Sequence, residues 1–119
     1  MVNSRKYIPQ RGNVVWISLD PQAGHEQARR RPAVVLSPKI YNEKVGLAIL
    51  CPITSQIKGY PFEVPIPADL PITGVILSDQ VKNLDWQIRN VEFICNLPAE
   101  TINLVLRKLD MLLNPYDSD

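Results

Sequence analysis

The chain has 119 residues, of which 45% are hydrophobic and 21% charged, values that suit one globular domain spanning residues 1–119. No apolar run approaches the ~20 residues that a membrane-spanning helix needs. The first residues, MVNSRKYIPQRG, lack the apolar segment of a secretory signal. We therefore expect a cytoplasmic protein that does not bind membranes, with frayed tails at 1–6 and 115–119.

Hydrophobic patterning predicts a chain made mostly of strands. Runs rich in β-branched residues, bounded by Gly, Pro and Asn, predict strands at 13–19, 32–37, 45–54, 62–67, 74–81 and 86–95. The run PAVVLS at 32–37 is apolar almost throughout, which is typical of a strand buried on both faces, and we expect Pro32 to open it. Residues 20–31 and 55–61 should form loops, and residues 38–44 a turn or a single helical turn.

One amphipathic helix is predicted near the C-terminus. Apolar side chains at 102, 105, 106, 109, 112 and 113 share one helix face, with Pro98 at the first helical position and Asn114-Pro115 at the end. Strands that follow one another without helices between them pair antiparallel. We therefore expect a mainly β fold, a compact, strongly curved antiparallel sheet or small barrel, closed by the C-terminal helix.

The charge distribution is uneven although the net charge is only +1. Residues 1–31 hold six basic and two acidic side chains, a balance of +4, so the other 88 residues carry −3. A basic N-terminal quarter suits a polyanion or an acidic protein as partner. The plainer alternative is a set of scattered, solvated charges.

The cysteines and the histidine are too few for a structural zinc site. Cys51 and Cys95 both lie in apolar surroundings, and His25 is the one histidine. We expect two buried free thiols in a reducing compartment in preference to a disulfide. We also expect no metal and no cofactor.

Few residues outside one short segment could carry chemistry. The glycines are scattered, no Ser or Cys lies in a nucleophile elbow, and the acidic residues are too dispersed for a two-metal site. What remains is the segment HEQARRRP at 25–32 and the polar residues at predicted strand ends, which are Thr54, Ser55, Gln56, Asp79 and Gln80.

These side chains match what metal-free cleavage of RNA requires. A base must take the proton of the attacking 2′-hydroxyl, a cation must hold the charge that develops on the phosphoryl oxygens, and an acid must protonate the leaving 5′-oxygen. Glu26 could be the base, an arginine of the segment suits the phosphoryl oxygens, and Thr54 and Gln56 could fix the phosphate. The alternative is that a glutamate and an arginine in one loop form a surface ion pair.

One histidine and two tryptophans have two interpretations each. His25 is either an inert or substrate-contacting loop residue, or an alternative acid or base, since imidazole titrates near neutral pH. Trp16 and Trp86 could each stack on a nucleotide base. The apolar pattern around Trp16 favours core packing, whereas Trp86, next to Asp85 and near Arg89, is predicted to be exposed.

Longer motifs add a family resemblance that runs from about residue 7 to residue 113. The segments YIPQRGNVVWISLDPQAGHEQARRRPAVVLSP, YNEKVGLAILCPITSQIKGYPFEV and GVILSDQVKNLDW contain, in order, four patterns. These are G-[DN]-[IVL]-[VI]-W, G-x-E-Q-x-x-x-R-P-A-V-V-L-S, P-x-T-[ST]-x-x-K-G-Y-P-F-E-V and D-Q-V-K. With these motifs the chain resembles the MazF/PemK family, the toxins of type II toxin–antitoxin systems.

The resemblance implies an SH3-like fold of the CcdB/PemK type and a metal-independent endoribonuclease. Such enzymes cleave single-stranded RNA, chiefly mRNA, at specific sequences and leave 2′,3′-cyclic phosphate and 5′-hydroxyl ends. It also implies a homodimer with RNA in a groove across the dimer. A cognate antitoxin would block that groove with an acidic, disordered C-terminal segment, and free toxin would inhibit translation and growth.

The same resemblance assigns roles to individual positions. It puts the catalytic glutamate at Glu26, the catalytic arginine at Arg31 and the phosphate-binding threonine at Thr54. We expect substrate contacts from His25, Gln27, Arg30, Ser55, Gln56, Lys58, Asp79 and Gln80. Arg29 and Arg30 stand where a small or neutral residue is commoner in the family, so Arg30 could share the catalytic work.

Two other functions stay open at this point. A fold relative in another toxin group, CcdB, inhibits DNA gyrase by binding and cuts nothing. A regulatory module that binds an acidic peptide through its arginines would also suit the charge distribution. Neither function would need Glu26, Arg31 and Thr54 together, and cleavage of naked RNA would exclude both.

Overall fold

The computed structural model describes residues 6–19 and 30–115, as seven strands and two helices. In chain order these are β1 (Asn13–Ser18), β2 (Arg30–Val35), α1 (Lys39–Val45), β3 (Leu47–Thr54), β4 (Glu63–Pro65), β5 (Val75–Leu77), β6 (Lys82–Asp85), β7 (Glu92–Asn96) and α2 (Ala99–Leu113). The mainly β fold with a C-terminal helix is confirmed, and the helical turn expected at 38–44 is α1. The tails predicted at 1–6 and 115–119 lie almost wholly outside the described residues. No helix in the described part of the chain is long and apolar enough to span a membrane.

The sheet is antiparallel in every described strand pair, and it is not closed. The strand order is β4-β5-β3-β2-β1-β7. β6 pairs with the first half of β3, and β5 pairs with its end, so two short strands share one edge of β3. Since β4 and β7 form the two ends of the path, the described strands form the expected antiparallel sheet, and it is open and not a closed barrel.

Both faces of the sheet carry a hydrophobic core. The first cluster, on the face that α2 covers, contains Val14, Val34, Leu36, Cys51, Ile53, Val64, Ile76, Leu97, Ile102 and Val105. The second, on the opposite face, contains Val15, Ile17, Ala33, Val35, Ala48, Leu50 and Trp86. Because successive strand residues point to opposite faces, Val34 and Val35 enter different clusters, and both are fully buried. The strand predicted to be buried on both faces is therefore confirmed.

Two of the predicted strands are shortened by turns. The run at 74–81 stops at Leu77, because the backbone N–H of Gln80 turns back onto the Leu77 carbonyl at 3.0 Å, and β6 then starts as a separate strand. The run at 86–95 begins with a turn and becomes β7 only at Glu92. The pattern predicts neither break, because apolar Val81 follows the first turn and apolar Ile88 lies within the second.

Two prolines do not lie where the sequence predicts. Pro32 does not open β2, which begins at Arg30. β3 pairs with β2 from Ala33 onwards, so the missing N–H of Pro32 removes no bond within that pairing. Pro98 is the N-cap of α2, with an extended ψ of 149°, and not its first helical residue. Its carbonyl accepts the backbone N–H of Thr101 at 3.0 Å.

The burial of the two tryptophans is the reverse of the prediction. Trp16 is 36% exposed, because the core cluster beneath α2 includes Val14 and does not extend to Trp16. Trp86 is only 5% exposed, and its indole N–H donates to the backbone carbonyl of Asn42 in α1 at 3.0 Å. Trp86 is therefore a structural anchor and is not available to stack on a base.

Candidate active site

Arg31 and Thr54 meet at one end of the sheet. β2 and β3 are antiparallel, with Ala33 opposite Pro52, so the same register two residues further places Arg31 beside Thr54. Both residues line a cavity of about 490 Å³, named here the β2–β3 cleft. Its lining consists of Leu19, Arg31, Pro52, Ile53, Thr54, Leu77, Gln80 and Lys82.

A second cavity of about 410 Å³ adjoins the β2–β3 cleft. It is lined by Arg31, Pro32, Ile53, Thr54, Ser55, Gln56 and Thr73. Five residues predicted from the sequence are thus brought together along the two cavities, namely Arg31, Thr54, Ser55, Gln56 and Gln80.

The hydroxyl of Thr54 is oriented by the chain that follows it. The backbone N–H of Gln56 donates to Thr54 Oγ1 at 3.1 Å. This bond uses an acceptor site of the oxygen, so the hydroxyl hydrogen stays available for another acceptor. The backbone of Thr54 pairs with Val75 of β5, which fixes the end of β3. Thr54 can therefore present an O–H donor to an anion in the cleft.

The neighbouring arginines Arg30 and Arg31 have different surroundings. Successive strand residues point to opposite faces, so only one of the two can enter the cleft. Arg31 lines both cavities. The Arg30 guanidinium instead forms an ion pair with the carboxylate of Glu92 in β7. The cleft therefore receives the cation of Arg31 and not that of Arg30.

The loop that follows β3 is held at several points. The carboxylate of Glu63 accepts the backbone N–H groups of Lys58 and Gly59, each at 2.9 Å. The ammonium of Lys108 in α2 donates to the backbone carbonyl of Pro61 at 2.6 Å. Lys58 itself is exposed and does not line either cavity.

Asp79 is tied to the same loop through Tyr60. The Tyr60 hydroxyl donates to Asp79 Oδ1 at 3.0 Å. This hydrogen bond to the carboxylate raises the pKa of Tyr60 above its usual range, because it stabilises the protonated phenol. Asp79 therefore braces the loop, whereas its neighbour Gln80 lines the cleft.

Lys82 is a cleft residue that the sequence interpretation missed. It is the last residue of the D-Q-V-K motif and lines the β2–β3 cleft with Gln80 and Arg31. The motif is part of the family resemblance, which predicts substrate contacts only from its first two residues, Asp79 and Gln80. The spacing of two between Gln80 and Lys82 was the available signal, because such residues share one side of an extended chain.

The predicted residues His25, Glu26 and Gln27 belong to segment 20–29, outside the described residues. Both ends of that segment are described. Ser18, the last residue of β1, pairs with Arg30. Leu19 then lines the cleft, and Arg30 directly precedes Arg31.

The thiols do not offer a nucleophile in this region. Both cysteines are free, as expected, with Cys51 buried and Cys95 partly buried. Burial and the nearby Asp79 carboxylate raise the pKa of the Cys51 thiol to about 12. Within the described residues, no group of three or more His, Cys, Asp or Glu side chains is placed to hold a metal ion.

The sequence matches a known family over most of its length. The family is described as PemK-like, MazF-like toxin of type II toxin–antitoxin system, and it matches residues 10–113. The chain belongs to this family. The resemblance drawn from the four motifs is thereby confirmed.

Relatives in Escherichia coli agree with this membership. The endoribonuclease toxin MazF of strain K12 is 42% identical over 108 residues, which cover 91% of this chain and 96% of that protein. The endoribonuclease PemK is 32% identical over 113 residues, which cover 92% of this chain and 85% of that protein.

Solved structures of PemK-like, MazF-like toxins share the fold. MazF from Deinococcus radiodurans superposes with a TM-score of 0.84 at 50% identity, covering 92% of this chain and 99% of that chain. A MazE–MazF complex from the same organism gives a TM-score of 0.81 at 44% identity, covering 91% of this chain and 97% of that chain. The predicted fold class, mainly β with a C-terminal helix, is confirmed over most of the chain.

Proposed function

We propose that this chain, an endoribonuclease toxin of the PemK-like, MazF-like family, cleaves single-stranded RNA in the β2–β3 cleft without a metal ion. The substrate is chiefly mRNA, cut at specific sequences. The products carry 2′,3′-cyclic phosphate and 5′-hydroxyl ends. The observation that carries the proposal is the placement of Arg31 beside Thr54 in one cleft.

The reaction is a transfer of phosphorus from one oxygen to another. The ribose 2′-oxygen attacks the adjacent phosphorus, and the P–O5′ bond breaks as the O2′–P bond forms. Glu26 takes the 2′ proton as general base. Arg31 and Thr54 donate to the non-bridging oxygens, which gain negative charge in the transition state. The departing 5′-oxygen takes a proton from water, and the resulting hydroxide removes the proton from Glu26, which restores the base.

Arg31 suits the phosphoryl oxygens for physical reasons. A guanidinium stays protonated at any relevant pH and can contact two oxygens at once. We assign this role to Arg31 and leave Arg30 out, because the Arg30 guanidinium is paired with Glu92. The hydroxyl of Thr54 supplies a further donor beside it.

Further polar residues bind the rest of the RNA. In this proposal the contacts come from His25, Gln27, Ser55, Gln56, Lys58, Asp79, Gln80 and Lys82. Lys82 adds a second cation to the cleft that holds Arg31, which favours a polyanionic chain. The loop after β3 is held by Glu63, so its contacts to RNA would be made without a large loss of entropy.

The partner in this proposal is a cognate antitoxin. The relative from D. radiodurans was solved as a MazE–MazF complex, which supports a bound partner protein for this chain as well. An acidic, disordered C-terminal segment of the antitoxin would neutralise Arg31 and Lys82 and so block the cleft. The active form is a cytoplasmic homodimer with RNA lying across it.

The test is incubation of the purified chain with a long RNA in the presence of EDTA, followed by mapping of the new ends. We expect cleavage at a recurring sequence with cyclic phosphate ends. Glu26→Ala and Arg31→Ala should each reduce the rate by about 10²-fold or more. RNA that stays intact, or cleavage that needs added Mg²⁺, would overturn the proposal.

Matched controls separate chemistry from loss of charge. Glu43 in α1 and Arg107 in α2 are exposed residues that line neither cavity. Glu43→Ala and Arg107→Ala remove the same charges as the two test variants. Both should cleave RNA at the parental rate.

A further inference from the structure

A tightly closed turn connects β6 to β7. The carboxylate of Asp85 accepts the backbone N–H groups of Gln87 and Ile88 at 3.0 and 3.1 Å. The Asp85 carbonyl accepts the backbone N–H of Arg89 at 3.2 Å. Asn90 takes the left-handed conformation, with φ of 56°, that Asn tolerates better than most residues. The backbone position of Arg89 is therefore well defined.

This turn is anchored in the second core cluster by Trp86. The Trp86 indole is buried and donates to the carbonyl of Asn42. Asn42 is fully buried as well, and its side chain donates to the carbonyls of Pro9 and Ser37 at 2.8 and 3.1 Å. The turn is thus connected by buried hydrogen bonds to α1 and to the chain that precedes β1.

Arg89 links this anchored turn to the end of β1. The backbone N–H of Ser18 donates to the Arg89 carbonyl at 3.2 Å. In return, Arg89 Nη1 donates to the Ser18 carbonyl at 3.0 Å. On its other side Ser18 pairs with Arg30 of β2. The last residue of β1 is therefore fixed on one side by Arg89 of the turn and on the other side by the pairing with β2.

The held position lies next to the cleft. Leu19, which follows Ser18, lines the β2–β3 cleft together with Arg31, the residue after Arg30. In the sequence, Glu26 lies between Leu19 and Arg30. Small displacements of the Ser18–Arg30 pair would thus be passed on both to Arg31 and to the ends of the segment that contains Glu26.

We propose that Arg89 is a positioning residue for RNA cleavage, acting through Ser18 on the end of the sheet where β1 and β2 meet. This inference rests on the proposed function. Arg89 does not touch the RNA in it. Its guanidinium fixes where Leu19 and Arg31 stand, and so it affects the alignment of the reacting groups more than the binding of the substrate.

The test compares Arg89→Ala with the parent in single-turnover cleavage of a short RNA that contains the cleavage sequence. We expect the maximal rate to fall between ~10-fold and ~10²-fold, because misalignment of that order follows from small displacements. The RNA concentration at half-maximal rate should change less than about two-fold. Arg89→Lys, which keeps one N–H donor within reach of the carbonyl, should recover part of the rate.

Arg11 provides a matched control at the opposite end of β2. Its Nε donates to the carbonyl of Leu36 at 2.6 Å, so Arg11→Ala also removes an arginine bond to a backbone carbonyl. Both alanine variants should lower the melting temperature. Only Arg89→Ala should lower the cleavage rate at a temperature where all variants are folded.

The outcomes separate this inference from the function on which it rests. An inactive parent would overturn the proposed function. An active parent with an equally fast Arg89→Ala would overturn the positioning role, as would equal rate losses in Arg11→Ala and Arg89→Ala. If Arg89→Ala does not fold, the rate of Arg89→Lys decides, since a purely structural role predicts the parental rate for that variant once it is folded.

Discussion

A Cβ atom on residue 74 would lie 2.2 Å from the carbonyl oxygen of Thr54. Gly74 also has a φ of +123°, which side chains rarely permit. Its carbonyl accepts the backbone N–H of Ile66 at 3.0 Å, so its own position is fixed. Glycine at position 74 therefore lets the chain before β5 lie directly against the end of β3, where Thr54 lines the cleft.

Gly74→Ala should weaken both the fold and the cleavage of RNA. The clash and the unfavourable φ should together lower the free energy of unfolding by about 2–4 kcal/mol. Displacement of Thr54 should lower the cleavage rate about tenfold or more. Gly46→Ala is the control, since Gly46 has a similar φ of +80° and nothing within 4 Å of its added Cβ. That variant should lose about 1 kcal/mol and keep its rate, and equal effects of both substitutions would contradict the close-approach argument.

Thr54→Val should remove activity and leave the fold intact. Valine has the shape of threonine without its donor, and the loss of one donor to a developing oxyanion costs about 10²–10³ in rate. The bond from the Gln56 N–H is also lost, but it is exposed and should cost about 1 kcal/mol or less. Thr54→Ser should retain most of the rate. Parental cleavage by Thr54→Val, measured under single-turnover conditions, would remove Thr54 from the mechanism.

Arg30→Ala and Arg31→Ala should differ sharply although they are neighbours. Arg30→Ala breaks an exposed ion pair with Glu92, which should cost about 1 kcal/mol or less and leave the cleavage rate within about two-fold. Arg31→Ala should cost about 10²-fold or more in rate. The test measures the cleavage rates of both variants on one RNA, and their thermal unfolding in parallel. The reverse ranking would show that Arg30 carries the phosphoryl contact.

Cys51 should resist thiol reagents in the folded protein. The pKa of about 12 that burial and Asp79 impose on the Cys51 thiol leaves about one thiolate in 10⁴ at pH 8. Reactivity should rise as the pH approaches that pKa, because only the thiolate attacks the reagent. A Cys95→Ala variant should therefore show no fast reaction with a disulfide reagent at pH 8, and one reactive thiol after denaturation. Fast reaction of the folded variant would mean that Cys51 is accessible.

Much of the fold follows from patterns that are local in the chain. The apolar run at 32–37 predicts a strand buried on both faces, and Val34 and Val35 are indeed fully buried on opposite faces. The helical spacing between 102 and 113 predicts α2. Local patterns did not predict where a backbone hydrogen bond ends a strand, as the bond from the Gln80 N–H to the Leu77 carbonyl does.

Only part of the candidate site could be predicted from local patterns in the sequence. Thr54 could be predicted because a hydroxyl at a strand end is visible in the sequence, whereas the choice of Arg31 among three consecutive arginines came from the family resemblance. Lys82 was missed because its entry into the cleft depends on the pairing of β6 with β3. Arg89 was missed because its bond to Ser18 joins residues 71 apart in the chain.

The sequence by itself determined the mainly β fold with a C-terminal helix, the family, and the residue types available for RNA cleavage. Tertiary structure alone decided that Arg31 enters the cleft while Arg30 pairs with Glu92, and that Trp86 is buried while Trp16 is partly exposed. The reason is physical. Alternation along a strand tells which residues share a face, but which face is covered depends on the register and packing of segments far apart in the chain.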